Sequence, residues 1–222
     1  INNMFKKNLL LLFGGKSPEH EVSVVTAFQV LSNLDKDKYN IHGVYVNKEG
    51  HWLWHKDLSS YDSAKQILKT PDKLHEVFLW RDGDKASLKK IKGLGSGTVS
   101  QIDVAFPAFH GGVGENGAIQ GLLATLDVPH VSCDHKSSAI CMDKIILKDI
   151  LANHEIPQVD YYWFTKAEWE SGQEKILSTS AEKFNFQVIV KPSSLGSSIG
   201  ISKADSKAKV KEAIELALQF DD

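Results

Sequence analysis

Residues 9–15, Leu-Leu-Leu-Leu-Phe-Gly-Gly, decide the fold of the first part of this chain. A continuous apolar run that is closed by glycines is typical of a buried strand in a parallel sheet. A helix is predicted at residues 21–34, where apolar residues recur at the spacing of one helical face. That face consists of Val24, Ala27, Phe28 and Leu31. A strand followed directly by an amphipathic helix indicates an α/β unit.

The strand–helix alternation continues to about Asp134. Strands are predicted at residues 39–46, 102–109 and 128–131, and a helix before the last of them has the apolar face Ile119, Leu122, Leu123 and Leu126. Residues 50–97 are weakly patterned, with short tryptophan-rich strands and a loop at residues 93–97. We therefore predict that residues 1–134 form an N-terminal domain with an open, mostly parallel, Rossmann-like sheet.

The pattern changes after Asp134. Helices are predicted at residues 135–142 and 144–153, and a strand at residues 159–164. Because short helices and strands no longer alternate regularly, residues 135–222 are predicted to form a second, smaller α+β domain.

A glycine- and serine-rich loop is the main feature of this second part. Short apolar runs at residues 188–190 and 199–201 flank the loop and predict a hairpin. A last helix is predicted after a cap at Asp205 or Ser206. Its apolar face consists of Val210, Ala213, Ile214, Ala217 and Leu218.

The composition excludes several classes of protein. The net charge is −2, Arg81 is the only arginine, and the lysines are interspersed with acids, so a nucleic-acid partner is not expected. No apolar run reaches the length of a membrane span. The two cysteines, Cys133 and Cys141, form no CxxC pair, which favours a cytoplasmic protein with reduced thiols.

The first candidate site is the turn at residues 14–23, Gly-Gly-Lys-Ser-Pro-Glu-His-Glu-Val-Ser. It is not a P-loop, because that motif needs a glycine where Leu10 stands. Backbone N–H groups at the start of a helix favour an anion. Glu19 and Glu21 lie in the same turn, so simple capping of the helix is the alternative interpretation.

The second candidate site begins at His110 and contains a GxGxxG pattern at Gly112, Gly114 and Gly117. The pattern follows a strand and precedes a helix, as a dinucleotide fingerprint requires. However, Glu115 would place a carboxylate against the pyrophosphate, and no acidic residue has clearly the right spacing for the ribose. A backbone-bonded histidine at a strand end is the alternative interpretation of His110.

The third candidate site is the loop after Lys191. Residues 196–200 spell GxSxG, but no histidine follows His154 in this chain, so a hydrolase triad is rejected. A glycine- and serine-rich loop between paired strands has donors that can fold over phosphates. Lys191 would add a cation. Lys144, in the first turn of a helix, is disfavoured there by the helix dipole, which suggests an anionic ligand. A solvated lysine beside Asp143 is the alternative.

Taken in order, these stretches resemble the D-alanine–D-alanine ligase family of ATP-grasp enzymes. The resemblance rests on Phe13-Gly14-Gly15 with residues 19–23, and on residues 110–121, 138–144 and 191–200. Their order and spacing are specific, so the central glycine pattern is not interpreted as a dinucleotide site. Asn116 stands where the family more often has aspartate.

The resemblance implies a fold, a reaction and a role for each site residue. Residues 1–134 would be the substrate-binding domain and residues 135–222 the central ATP-grasp domain. ATP would phosphorylate the carboxylate of a first D-alanine, and the amine of a second D-alanine would then attack the acyl phosphate. Glu19 would hold the ammonium of the first D-alanine, Ser197 would bond with Glu19, and His110 would lie beside the same amino acid. Residues that bind the ATP phosphates would be Lys144, Lys191, Ser193, Gly196 and Ser198.

The resemblance also implies features that this chain does not carry. The C-terminal ATP-grasp domain would be absent, and with it the Mg²⁺ ligands, so we expect the 222-residue chain alone to be inactive. A homodimer and a part in peptidoglycan precursor synthesis are implied by the family. A D-alanine–D-lactate ligase, a non-catalytic nucleotide-binding module and a dinucleotide-dependent dehydrogenase are the competing interpretations.

Overall fold

The structure is a computed structural model that describes residues 6–91 and 97–221. The chain divides into two compact units, Ile1–Ala139 and Ile140–Asp222. The assignment of residues 1–134 to substrate binding and 135–222 to ATP-grasp stays a prediction. No helix among the described residues is long and apolar enough to cross a membrane.

The first unit is built on one seven-stranded sheet in the order β6-β5-β4-β3-β2-β1-β7. Its strands are β1 Lys7–Gly14, β2 Tyr39–Val46, β3 Trp52–Trp54, β4 His75–Asp82, β5 Lys85–Lys90, β6 Thr98–Gln101 and β7 Val104–Pro107. Strand β1 pairs in parallel with β2 and β7, which is the predicted parallel part. Each of the remaining strands is antiparallel to its neighbour. The sheet is therefore mixed, because the strands after β2 pair with their neighbours in antiparallel fashion and need no helical crossover between them.

Strand β1 lies between two core clusters and is buried on both faces. Leu10 and Leu12 belong to one core cluster, whereas Leu9, Leu11 and Phe13 belong to another. Successive side chains of a strand point to opposite faces, so a strand between two cores must be apolar at every position. The predicted buried strand at residues 9–13 is confirmed.

The first unit contains helices α1 His20–Asn33, α2 Tyr61–Ile67 and α3 Ala118–Thr125. Helix α1 is the predicted helix, and its residues Ala27 and Leu31 are buried in the cluster on one side of β1. Helix α3 is also confirmed, but its predicted apolar face is only partly correct. Ile119 and Leu123 are buried, whereas Leu122 is 41% exposed. Helix α2 was not predicted.

Three predicted elements of this unit differ in the structure. The strand predicted at residues 102–109 is shorter, because the amide of Ile102 donates to Ala86 and continues the antiparallel part of the sheet. At residues 128–131 the structure has only a parallel bridge between His130 and Ala105. Of the predicted loop at residues 93–97, residues 93–96 lie outside the described part of the chain.

The second part of the chain is mainly helical. Its elements are α4 His135–Met142, α5 Lys144–Asn153, α6 Lys166–Phe184, β8 Val188–Val190, β9 Ser202–Ala204 and α7 Lys207–Ala217. Helices α4 and α5 have the predicted bounds, and α7 begins after the predicted cap Ser206, whose side chain accepts from the amide of Lys209. The antiparallel pair of β8 and β9 is confirmed, but the strand predicted at residues 199–201 is wrong, because β9 begins only at Ser202, after a turn.

Helix α6 was missed, and the strand predicted at residues 159–164 is irregular backbone in the structure. The helix begins with a capping box between Thr165 and Glu168. Its buried residues Trp169, Ile176 and Leu177 pack with the apolar face of α7 to form the core of the second unit. The Thr-Lys-Ala-Glu sequence at residues 165–168 was the available signal for this helix.

Candidate functional sites in the two units

The first candidate site lies where β1 and β7 end at the same edge of the sheet. The strands are parallel, with Leu12 opposite Pro107, and the amide of Ala108 donates to Leu12 at 2.7 Å. The residues that follow, Gly14-Gly15 after β1 and His110 after β7, therefore lie side by side. Ligands of open α/β sheets bind at this carboxyl edge.

Two glycines make the turn after β1 possible. Gly14 and Gly15 have φ values of +90° and +97°, a conformation that residues with a Cβ rarely adopt. A Cβ on Gly14 would also overlap the carbonyl oxygen of Val46. The amide of Gly15 donates to the same carbonyl at 2.7 Å. The turn thus folds back tightly onto β2, and α1 begins five residues later.

Ser23 links the turn to β7. This side chain is fully buried, accepts from the amide of Gly14 at 2.7 Å and donates to the carbonyl of Ala108 at 2.8 Å. One hydroxyl on α1 thus satisfies one backbone group at the end of each parallel strand. Buried backbone groups need such partners, so Ser23 fixes the relative position of the two strand ends.

His20 is a buried residue of this site that the sequence analysis did not single out. Its Nδ1 lies 2.8 Å from the carbonyl oxygen of Gly15, and its Nε2 lies 3.0 Å from the hydroxyl of Tyr45. A carbonyl oxygen accepts only, so Nδ1 carries a proton and donates to Gly15. The imidazole therefore fixes the glycine turn to β2.

Glu19 and Glu21 have different surroundings. Glu21 is exposed and pairs with Lys48 at 3.0 Å, and this hydrogen-bonded lysine lowers the pKa of the Glu21 carboxyl. Glu19 is half-buried at the N-cap position of α1, but among the described residues its side chain makes no capping hydrogen bond. The structure therefore shows Glu19 at the helix start without the side-chain hydrogen bond that a capping role would use. Its Oε2 lies only 2.6 Å from the point that a Cβ on Gly111 would occupy.

His110 lies next to this contact, and its Nε2 is 2.8 Å from the hydroxyl oxygen of Thr26 on α1. The partner of Nε2 is a side-chain hydroxyl, so this contact differs from the backbone bond of the alternative interpretation. Gly111 follows with φ +66°, which suits glycine. The structure therefore brings together the two predicted site residues of the first unit, Glu19 and His110.

Two glycines of the GxGxxG pattern, Gly114 and Gly117, have packing roles. A Cβ on Gly114 would overlap the side chain of Phe109, and one on Gly117 would overlap the carbonyl of His135. The buried amide of Gln120 donates to the carbonyl of Gly114 at 2.7 Å. Close packing within the first unit thus explains these glycines without a dinucleotide.

The second candidate site surrounds the loop between β8 and β9. The ammonium of Lys144 donates to the carbonyl oxygens of Ser193 at 3.0 Å and Leu195 at 2.5 Å. Burial, followed by repulsion from Lys191, lowers the pKa of Lys144. Asp143 is occupied as the helix cap, accepting from the amides of Ile145 and Ile146. Lys144 is therefore not the solvated lysine of the alternative interpretation.

Asp221 shows that the loop can bind an anionic oxygen. Its Oδ2 accepts from the amide of Ser194 at 2.7 Å and from the hydroxyl of Ser193 at 2.8 Å. The sequence analysis missed this residue, because its partners are 27 and 28 residues away. The donors that a phosphate would use thus already hold a carboxylate.

The tip of the loop has an unusual backbone. Ser197 and Ser198 are exposed and have φ values of +50° and +61°, in the left-handed region that residues other than glycine seldom adopt. Lys191 is exposed at the start of the loop. The structure therefore places the predicted residues of the second unit on one loop and the adjoining helix start. They are Lys144, Lys191, Ser193, Gly196, Ser197 and Ser198.

Two parts of the predicted site stay predictions. The hydrogen bond between Glu19 and Ser197 would join residues of different units. Within residues 6–91 and 97–221, no three or more His, Cys, Asp or Glu residues are placed to hold a metal ion, so no metal ligand is assigned.

Fold and sites together define an α/β protein with a polar edge after two parallel strands, followed by a unit whose hairpin loop donates hydrogen bonds to a carboxylate. Residues 8–133 match the D-ala D-ala ligase N-terminus family, and residues 150–222 match the D-ala D-ala ligase C-terminus family. The chain belongs to the D-alanine–D-alanine ligase family.

Solved structures agree with this assignment. The D-alanine-D-alanine ligase from Coxiella burnetii is 27% identical with a TM-score of 0.84, and the match covers 98% of this chain and 62% of that protein. The VanG D-Ala:D-Ser ligase from Enterococcus faecalis is also 27% identical, with a TM-score of 0.78 over 98% of this chain and 61% of that protein. D-alanyl-alanine synthetase A from Vibrio cholerae is 26% identical, with a TM-score of 0.76 over 98% of this chain and 58% of that protein. The chain thus spans about three fifths of the length of these relatives.

Proposed function

We propose that this chain is part of an ATP-dependent ligase that joins two D-alanines in peptidoglycan precursor synthesis. The terminal phosphoryl group of ATP is transferred to the carboxylate of the first D-alanine, giving an acyl phosphate and ADP. The amine of the second D-alanine attacks the acyl carbon, loses a proton and displaces inorganic phosphate. Phosphorylation is needed because a free carboxylate has no adequate leaving group.

One observation supports this proposal most directly: Glu19 packs against Gly111 at the edge where β1 and β7 end. A carboxylate at this edge suits the ammonium of a small amino acid, because a charge-assisted hydrogen bond fixes its orientation. In our proposal Glu19 binds the ammonium of the first D-alanine, His110 lies beside that amino acid, and Ser197 bonds with Glu19.

The loop of the second unit suits the phosphates of ATP. Asp221 occupies an amide and a hydroxyl donor there, so these groups accommodate an anionic oxygen. Burial lowers the pKa of Lys144, and the nearby charge of Lys191 lowers it further. In our proposal these two lysines, together with Ser193, Gly196 and Ser198, bind the phosphates.

Magnesium, when bound with ATP, would neutralise the charge of the phosphates. The residues of this chain that we assign to the phosphates are cationic or neutral donors. We propose that the Mg²⁺ ligands come from the part of the relatives that the match does not cover. A cytoplasmic homodimer is likewise proposed from the family resemblance.

The second substrate distinguishes the competing functions. The D-Ala:D-Ser ligase and the first D-alanine ligase are equally similar to this chain, at 27% identity. D-serine therefore joins D-lactate as an alternative to the second D-alanine. A non-catalytic nucleotide-binding module is the alternative from another class.

The test uses the protein encoded by the whole reading frame that contains this sequence. It is incubated with ATP, Mg²⁺ and D-alanine, alone or with D-serine or D-lactate, and products are identified by mass spectrometry beside phosphate release. We expect D-alanyl-D-alanine with one phosphate per dipeptide. ATP binding without any ligated product would contradict the proposal and favour the module, and a mixed product would reassign the second substrate.

A further inference from the structure

Helix α1 presents two hydroxyl groups to the end of β7. Ser23 and Thr26 are three residues apart and therefore lie on the same face of the helix. Ser23 bonds to the carbonyl of Ala108, and Thr26 bonds to the imidazole of His110, which is 84 residues away. One helix face thus fixes both the backbone of β7 and the side chain that follows it.

The contact of Thr26 differs from that of several other helical hydroxyls in this chain. Ser32, Ser171 and Thr179 each donate to the carbonyl four residues earlier, which is the common arrangement in helices. The Thr26 hydroxyl is directed instead to Nε2 of His110, at 2.8 Å. This hydroxyl therefore makes a tertiary contact with a residue of the candidate site.

We infer that Thr26 is a positioning residue, which holds the imidazole of His110 by Nε2 and leaves Nδ1 as the nitrogen that exchanges protons with a ligand. A ring nitrogen that is engaged by one hydrogen bond fixes the orientation of the ring and the roles of both nitrogens. The next residue, Gly111, packs against the Glu19 carboxylate, so the oriented ring stands beside the proposed ammonium anchor. The functional part of this inference rests on the proposed function.

The structural part is tested on the 222-residue chain by ¹⁵N NMR of the histidine side chains, with the His110 signals assigned through a His110→Gln variant. Thr26→Val keeps the branched shape but removes the hydroxyl, and Thr26→Ser keeps the hydroxyl. We expect Thr26→Val to change the Nδ1 and Nε2 shifts of His110 and Thr26→Ser to preserve them. Thr179→Val is the matched control, because its hydroxyl bonds within its own helix and is exposed. His110 shifts that are the same in Thr26→Val and in the parent chain would overturn the inference.

The functional part is tested on the full reading-frame protein by steady-state ligation. We expect Thr26→Val to lower kcat/KM for D-alanine by about 3- to 10-fold, the factor that corresponds to one hydrogen bond of ordinary strength. Thr26→Ser, which keeps the hydroxyl, should have the kcat/KM of the parent protein. If only the packing of the methyl group mattered, Thr26→Ser would lower kcat/KM and Thr26→Val would not. An unchanged rate in Thr26→Val would overturn the functional part. If the parent protein bound ATP but formed no dipeptide, the proposed function would fail, while the NMR result would still decide the position of His110.

Discussion

The carboxylate of Asp221 accepts a 2.7 Å hydrogen bond from the backbone amide of Ser194. The same oxygen accepts from the hydroxyl of Ser193, while Lys144 donates to carbonyl oxygens of the loop. The groups that we assign to the ATP phosphates are thus engaged with the chain itself. ATP would have to replace the Asp221 carboxylate and draw Lys144 from these carbonyls.

The first prediction concerns this competition. Removing the carboxylate by Asp221→Ala should tighten ATP binding by roughly 10- to 100-fold, because two charge-assisted hydrogen bonds no longer have to be broken. Isothermal titration of the chain with ATP measures the change. Asp205→Ala is the control, since Asp205 pairs with Lys209 on the surface at 2.8 Å. Weaker binding in Asp221→Ala would show instead that the carboxylate orders the loop for ATP.

The second prediction compares the two acids of the first turn of α1. In the full reading-frame protein, Glu19→Gln should raise KM for D-alanine by about 10- to 100-fold, the range of a hydrogen bond between charged groups. Glu21→Gln should change KM by less than about 2-fold, because Glu21 pairs with Lys48 at the surface. Steady-state kinetics measure both. Equal effects of the two substitutions would count against the assignment of Glu19.

The third prediction concerns the stability of the first unit. Ser23→Ala should destabilise the unit by about 2–3 kcal/mol, because it leaves a buried amide and a buried carbonyl without their partner. Ser32→Ala on the same helix is the control and should cost less than about 0.5 kcal/mol, since Ser32 is exposed. The difference in the free energy of unfolding is measured by urea unfolding, with hydrogen exchange of the β1 amides as the probe. Similar costs for the two variants would contradict the role of Ser23.

The fourth prediction concerns pH. Burial lowers the pKa of His42 below its ordinary value of 6.5. The unfolded chain therefore binds a proton at His42 near that pH, whereas the folded chain binds it only at lower pH, so the contribution of His42 to stability falls as the pH decreases through this window. His42→Gln should make the decrease between about pH 7.5 and about pH 5 shallower.

The control for this prediction is His154→Gln, because His154 is exposed. The slope of the free energy of unfolding against pH is measured by urea unfolding at several pH values, with hydrogen exchange of the β2 amides as the probe. A slope that is unchanged by His42→Gln would show that His42 does not contribute. His75 has a pKa that is lowered mainly by burial as well, and it would then be the residue to replace.

The sequence predicted those elements whose burial produces a clear pattern. Strand β1 could be predicted because both of its faces are buried, and α1 because one of its faces is. Helix α6 was missed because only a few of its 19 residues are buried and charged residues dominate the rest. The antiparallel strands were poorly predicted because side chains such as Trp80, which is 55% exposed, do not alternate clearly between core and solvent.

The candidate sites show the same limit. Glu19, His110, Lys144 and Lys191 could be proposed because each belongs to a local motif. Thr26 and Asp221 were not identified, because their roles come from contacts with residues 84 and 27–28 positions away, which no local pattern encodes. His20 lies inside a quoted motif, but its buried contact with Tyr45 depends on where β2 pairs with β1.

ATP affinity of the Lys144→Ala/Lys191→Ala double variant tests the central claim most directly. Titration of the full reading-frame protein should show ATP binding that is weakened by at least about 100-fold, because both cations assigned to the phosphates are lost. Lys207→Ala/Lys209→Ala is the matched control, since these lysines are exposed and pair with Glu174 and Asp205. We predict that the control keeps the affinity of the parent protein. An ATP affinity of the Lys144/Lys191 variant equal to that of this control would contradict the account.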